Sequence, residues 1–235
     1  MLGLGTSLER SGRQRLVRTY VKDGLKLYMP YKGADTTKGT QFVGEGSTSF
    51  DGDDYIDCGN DSSLQITGKS ITVSTWFKLD GDTDWDKIVA NSDGGSYEDG
   101  FTLFYQDEKL HFSINHYSTN VAINAFTDYG NWHHVVGVYD GTLSSANIKI
   151  YLDGVLGTTT DNYTTDIGNT RNTYIGAGYN SGVGDFFTGS IKNVAIWNRA
   201  LTATEVQNVM YKQYNEIPTS SRLTDGLVSW WQLDG

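Results

Sequence analysis

Residues 131–155 read NWHHVVGVYDGTLSSANIKIYLDGV. Trp132, His134, Val136 and Val138 alternate with His133, Val135, Gly137 and Tyr139, the two-residue period of a strand. Asp140-Gly141 signals a turn, because glycine takes the positive φ that tight turns need. Ile148, Ile150 and Leu152 restart the alternation, and Asp153-Gly154 folds it into a tight hairpin toward Val155 and Leu156. The middle of the chain is therefore expected to be a ladder of antiparallel strands.

Similar stretches lie on both sides. Leu25, Leu27 and Met29 alternate with Lys26 and Tyr28, and the Gly/Thr-rich stretch 33–46 reads as loop. FDGDDYIDCGN at 50–60 supplies a turn and a strand, and in SITVSTWFKL at 70–79 Ile71, Val73, Thr75, Phe77 and Leu79 share a face. Further strands are expected at 86–91, 100–106, 109–116 and 121–126, separated by Asp/Gly/Ser loops. NTYIGAG at 172–178 and GSIKNVAIWNRALTATEV at 189–206 follow. One short helix is expected near 203–213. Thr202 and Glu205 form a capping box, Leu201 and Val206 can staple across it, and Val206, Val209 and Met210 give a stripe for the sandwich edge.

Taken in order, these stretches resemble the laminin-G-like branch of the concanavalin A-like jelly rolls, over roughly residues 24–214. The resemblance implies an all-β, two-sheet antiparallel jelly-roll sandwich with one short helix. It implies no single function, since this fold carries lectins, adhesins, enzymes and structural modules. At 235 residues one such domain accounts for most of the chain. A sandwich of this size buries a large core without disulfides. Cys58, the one cysteine, has no intramolecular partner and reads as an inert packed thiol.

Charge divides the chain. The net charge is −10. Residues 1–32 carry seven Lys/Arg against Glu9 and Asp23, a balance of +5, which leaves −15 for residues 33–235. The organisation expected is a basic, flexible docking arm at 1–22, the jelly roll at 23–214, and a linker with an extra strand at 215–235. Arg10, Arg13, Arg15 and Arg18 sit among Gly, Ser and Gln, a pattern suited to docking on an acidic surface. The acidic body argues against direct nucleic-acid contact. The N-terminus lacks the h-region of a secretory signal, and no apolar run is long enough for a membrane span. The arm also resembles the starts of laminin-G-like structural proteins of tailed bacteriophages.

The chain repeats itself once. Asp23-Gly24-Leu25-Lys26-Leu27-Tyr28 is echoed by Asp225-Gly226-Leu227-Val228-Ser229-Trp230. Residues 225–235 are open to three readings: the closing strand of the chain's own sheet, the leftover start of a tandem domain, or a strand donated to a neighbouring chain. In the last, Trp230 and Trp231 are the anchors of an assembly contact.

Chemistry is sparse. The six Glu show none of the carboxylate pairing that glycosidases on this fold need. Familiar nucleophile and phosphate motifs are absent from the sequence. His133 and His134 are adjacent and face opposite sides of a strand, so they do not share a metal. No cofactor is required, and calcium is the ion that loop carboxylates of this kind suit. Its candidate ligands are Asp51, Asp53, Asp54 and Asp57. The resemblance carries only weakly here, because Lys192 and Asn193 stand where relatives often have acidic residues. A second cluster, Asp80, Asp82, Asp84 and Asp86, fails as an EF-hand because Trp85 and Asn91 occupy its key positions. Tyr97, Tyr117, Tyr129 and Tyr179, in or near loops, are candidate glycan platforms.

The function expected from these readings is non-enzymatic. The chain is read as a structural and interaction protein of a virion, a phage capsid decoration or appendage protein. It would dock on a capsid or tail, and on copies of itself, through the arm and the terminal strand. The alternative is a carbohydrate-binding adhesin module that recognises surface glycans through loops at one end of the sandwich.

Overall fold

The computed structural model describes residues 46–92, 99–158, 161–168 and 171–233, without the side chains of residues 117 and 118. The expected first strand at Leu25–Met29, the arm with Arg10, Arg13, Arg15 and Arg18, and Tyr97 lie outside these residues. The described strands begin with β1 (Thr48–Asp51), β2 (Ile56–Asp57), β3 (Ser70–Leu79), β4 (Asp86–Asn91) and β5 (Phe101–Gln106). Next come β6 (Lys109–Ile114), β7 (His116–Ile123), β8 (His133–Asp140), β9 (Ile148–Leu152) and β10 (Val155–Leu156). Last are β11 (Tyr174–Ile175), β12 (Gly178–Tyr179), β13 (Val183–Gly184), β14 (Thr188–Trp197) and β15 (Leu227–Trp231). Helix α1 (Ala203–Val209) stands between the final two.

Two antiparallel sheets form a jelly-roll sandwich. One runs β1-β14-β3-β8-β9-β10, with β15 also on β14; the other runs β2-β11-β4-β5-β6-β7. The strand alternation at 131–155 produces β8, β9 and their hairpin. Asp153 (φ 50°) and Gly154 (φ 77°) both take positive φ, as a two-residue hairpin turn requires, and Val155 pairs with Leu152. Between the sheets, Val73, Phe77, Val135 and Ile150 meet Leu103, Tyr105, Phe112 and Ile175. Gly137 makes this approach possible, since a Cβ there would stand 2.2 Å from the Phe112 ring.

β8 is buried on both faces. Val135 and Tyr139 enter the inter-sheet core, whereas Val136 and Val138 face a second core with Tyr151, Ala195 and Trp197. Val206 and Val209 of α1 close that second core. The helix therefore lies on the outer face of the seven-stranded sheet, not on the sandwich edge. The reason is the outward apolar row of β8, β9 and β14, which needs a cover. The capping box forms as read: Thr202 Oγ1 accepts from Glu205 N, and Glu205 Oε2 accepts from Thr202 N at 2.8 Å. The helix stops at Val209, short of 213, and a 3-10 turn follows at Tyr214–Glu216.

One strand boundary moves. The expected strands 109–116 and 121–126 become 109–114 and 116–123 because Asn115 turns the chain at φ 56°. Its side chain is held there, donating from Nδ2 to Tyr163 Oη and to Asp166 O, and accepting from Gly168 N.

Residues 215–233 fold onto the same body. Ile217, Leu223 and Leu227 join the outer core, and Trp197 Nε1 donates to Leu223 O at 2.8 Å. β15 pairs antiparallel with β14 of its own chain. Trp231 is buried in the inter-sheet core, and Trp230 packs edge-on against Trp197 at 6.0 Å. In this state both tryptophans pack against the chain's own cores.

Candidate functional site

The outer face of the six-stranded sheet is built by residues that alternate with the core set. Phe101, Leu103 and Tyr105 of β5, and Leu110, Phe112 and Ile114 of β6, point inward, so Thr102, Phe104, His111 and Ser113 point outward. The pairing registers then place six residues in one row across the sheet: Asp57, Tyr174, Ala90, Thr102, Ser113 and Asn120. The middle of the row is small and low. Thr102 is 1% exposed, and its Oγ1 has no hydrogen-bond partner. Ser92 Oγ, just after β4, is likewise buried without a partner, whereas Asn91, paired with the inward Phe101, turns to the other side of the sheet. Buried polar atoms normally find partners, so this floor is a place where polar atoms of a ligand would be received.

Aromatic and basic side chains form the rim. Phe104 stacks on His111 at 4.7 Å, and His111 Nδ1 contacts Asn120 Oδ1 at 3.1 Å. Burial lowers the His111 pKa, outweighing the Asn120 contact, which favours a neutral ring. Lys87 lies between the rings of Trp85 and Phe104, its Nζ 4.6 and 4.5 Å from their centroids. Burial brings the Lys87 pKa down to about 8, although Asp185 stands 3.5 Å away. At the other end, Tyr55 is 44% exposed and meets Tyr174 edge-on at 5.9 Å. Asn172 Nδ2 donates to both Asp57 oxygens at 2.9 Å, and Arg171 lies 4.8 Å over the Tyr179 ring.

Tyr179 belongs to this rim. Tyr129 packs against the inter-sheet core and its Oη meets Tyr105 Oη at 2.7 Å. Tyr117 lies on β7, with its side chain outside the described residues, and Tyr97 lies outside them altogether. Asp51, Asp53 and Asp54 bring carboxylate oxygens within 4.8 Å of one another on an exposed turn. The hydrogen bond between Asp51 and Asp53 lowers the pKa of the first and raises that of the second. Asp57 is not part of this group; it is drawn toward Asn172 and Gly59 N. Two members of the second Asp cluster are held by bonds, Asp86 accepting from Thr83 Oγ1 and Asp82 from Tyr105 Oη. His134 is fully packed, with Nε2 2.9 Å from Ser74 Oγ, and burial drops its pKa to about 3. His133 is half-buried between the carboxylates of Asp128 and Asp153.

Sequence reasoning missed Thr102, Ser113, Phe104, His111, Asn120 and Arg171. For Thr102, His111 and Ser113 the signal was present in the polar alternates of β5 and β6. What was missing was the register that aligns them.

The family model for the concanavalin A-like lectin/glucanase superfamily matches residues 50–207. The chain belongs to this superfamily. No curated protein sequence matches the chain. Solved structures show the same concanavalin A-like fold. A candidate carbohydrate-binding protein from Bacteroides ovatus is 20% identical, with TM-score 0.63 over 80% of this chain and 51% of that one. This chain thus spans about half the length of that relative. The heptameric SAP-like pentraxin of Limulus polyphemus is 18% identical, with TM-score 0.54 over 80% of this chain and 91% of its own. The carbohydrate-binding module CBM40 of the Ruminococcus gnavus IT-sialidase, bound to α2,3-sialyllactose, is 16% identical. It gives TM-score 0.54 over 72% of this chain and 98% of its own. At these identities the likeness concerns the fold of the concanavalin A-like domain.

Proposed function

We propose that this concanavalin A-like domain is a non-catalytic carbohydrate-binding module. Its glycan would lie along the outer face of the six-stranded sheet, between Tyr55 and Asn120. The observation that carries this reading is the unpartnered, buried Thr102 hydroxyl at the centre of a row of small and amide side chains rimmed by aromatic rings. A sugar supplies what such a surface lacks, hydroxyls for the polar floor and C–H faces for the rings. Carbohydrate binding among the similar structures supports the same reading. Where the module takes calcium, Asp51, Asp53 and Asp54 would hold it.

A glycan array on the full chain, followed by calorimetry on the best binder, tests the proposal. Thr102→Val and Tyr55→Ala are expected to weaken binding at least tenfold each while leaving the melting temperature nearly unchanged. No retained glycan, or unchanged affinity in both variants, overturns it.

The arm favours a second reading. The +5 charge of residues 1–32 against the acidic body suits attachment to an assembly, as in a phage particle with the arm inward and the glycan face outward. A chain lacking residues 1–22 would then bind glycan normally and fail to co-sediment with particles.

A further inference from the structure

Two strands share the outer edge of β14 end to end. β1 pairs with residues 188–191 and β15 with 194–197, and Asn193 N donates to Gln232 O at 2.9 Å. Both run antiparallel to β14, so β15 points along this edge toward β1. The place filled by β15 makes specific demands. Gly226 stands at φ 68°, and a Cβ there would come within 2.6 Å of Asn198 Oδ1. Leu227 and Trp230 enter the outer core, while Trp231 enters the inter-sheet core with Val228 and Leu233 packed beside it. Just before the strand, the Asp225 carbonyl accepts from Arg199 Nε at 2.7 Å.

Residues 23–31 meet these demands at the same spacing. Gly24 matches Gly226, Leu25 matches Leu227, Tyr28 matches Trp230, Met29 matches Trp231 and Tyr31 matches Leu233. Lys26 falls at Val228, which is only partly buried and leaves an ammonium room to reach water. Pro30 falls at Gln232, whose carbonyl makes the bond to Asn193; proline keeps that acceptor and suits an edge position.

We propose that this stretch of β14 is a strand-exchange site, for which residues 23–31 of the same chain compete with β15. The connection reaches. Residues 32–47 separate the segment from β1, and a chain of that length extends to about 50 Å. The two halves of the edge adjoin, and the polarity is the one β15 already has. When residues 23–31 hold the site, β15 is released as an unpaired strand carrying Trp230 and Trp231, open to pairing elsewhere. The proposal does not depend on glycan binding.

Cysteine trapping in the full chain tests it, with Cys58→Ala as background. Ala195→Cys is combined either with Trp230→Cys, its partner in register, or with Tyr28→Cys. Mild oxidation at low protein concentration is expected to give monomeric 230–195 links in one variant and monomeric 28–195 links in the other. The 28–195 yield should rise several-fold when Leu227→Asp and Trp231→Asp disable β15. Absence of the 28–195 link, or its appearance only in linked dimers, which would make a second copy the donor, overturns the proposal. Melting of cysteine-free chains gives an independent reading. Leu227→Asp with Trp231→Asp should leave a cooperative transition that is lost when Leu25→Asp and Met29→Asp are added. No further change on that addition overturns the proposal as well.

Discussion

His133 Nδ1 lies 2.8 Å from Asp153 Oδ2, joining the first residue of β8 to the hairpin turn after β9. The other carboxylate oxygen of Asp153 accepts from His134 N at 2.8 Å, so one side chain fixes both the ring and the backbone. On the far side, His133 Nε2 stands 3.2 Å from Asp128 Oδ2, at ion-pair distance. Burial disfavours the imidazolium, but the Asp153 hydrogen bond and the two carboxylate charges outweigh it and raise the His133 pKa. For Asp153, burial opposes the anion, and His133 and the His134 amide win and lower its pKa.

The pH dependence follows from these directions. A histidine whose folded pKa is raised contributes fully below its unfolded value and loses that contribution as pH rises through the folded pKa. The lowered Asp153 contributes above its unfolded value and loses its contribution in acid. The latch is thus strongest between about pH 4 and 6.5. Melting temperature should fall modestly from pH 6 to 8.5 in the native chain and stay flatter in His133→Gln. Asp153 is 44% exposed, so screening limits the loss to about 1 kcal/mol. Equal slopes for the two proteins would refute the latch.

Arg199 ties the chain after β14 to the start of β15. Its guanidinium pairs with both oxygens of Glu205, at 2.8 and 3.1 Å, and donates to the Asp225 and Arg222 carbonyls. Burial works against the Glu205 anion, yet Arg199 and the Thr202 cap hold its pKa down to about 2. Arg199→Ala should cost roughly 2–4 kcal/mol in urea unfolding, and Arg199→Lys a large part of that, since an ammonium cannot make the fork. Below about pH 4 the cost of Arg199→Ala should shrink as Glu205 protonates.

Gly137 has no room for a methyl group against Phe112. Gly137→Ala should destabilise by about 1–3 kcal/mol, and Phe112→Leu in the same chain should recover part of the loss. Additive losses in the double variant would place the strain elsewhere.

Lys87 is fully buried, with its charge met by Asp185 across 3.5 Å. Replacing a buried charge with an apolar chain of similar shape is often neutral or favourable, whereas stranding it is costly. Chemical denaturation should show Lys87→Met within about 1 kcal/mol of the native chain and Asp185→Asn clearly less stable. A depressed lysine pKa also means that this penalty is relieved as pH rises through about 8 toward 10.5.

Local patterns carried much of the architecture. The alternation at 131–155, the Asp153-Gly154 turn and the Thr202–Glu205 cap each involve residues a few positions apart, and each forms as read. Asn115 shows the limit. Its turn depends on Tyr163, Asp166 and Gly168, some fifty positions away, so the strand boundary could not be placed from its neighbours. Asp57 shows another, since it looked like a fourth member of the Asp51 group until pairing with β11 set Asn172 beside it.

By itself, the sequence determined that the chain forms short antiparallel strands, where the hairpin turns, and that a capped helix follows the last long strand. These depend on backbone period and turn chemistry, which are local. Tertiary structure alone decided that Asp57, Tyr174, Ala90, Thr102, Ser113 and Asn120 share one row, that β8 is buried on both faces, and that Trp230 and Trp231 enter their own chain's cores. Those outcomes rest on pairing register and on which surfaces meet. Long-range contacts set both, and no short window of sequence contains them.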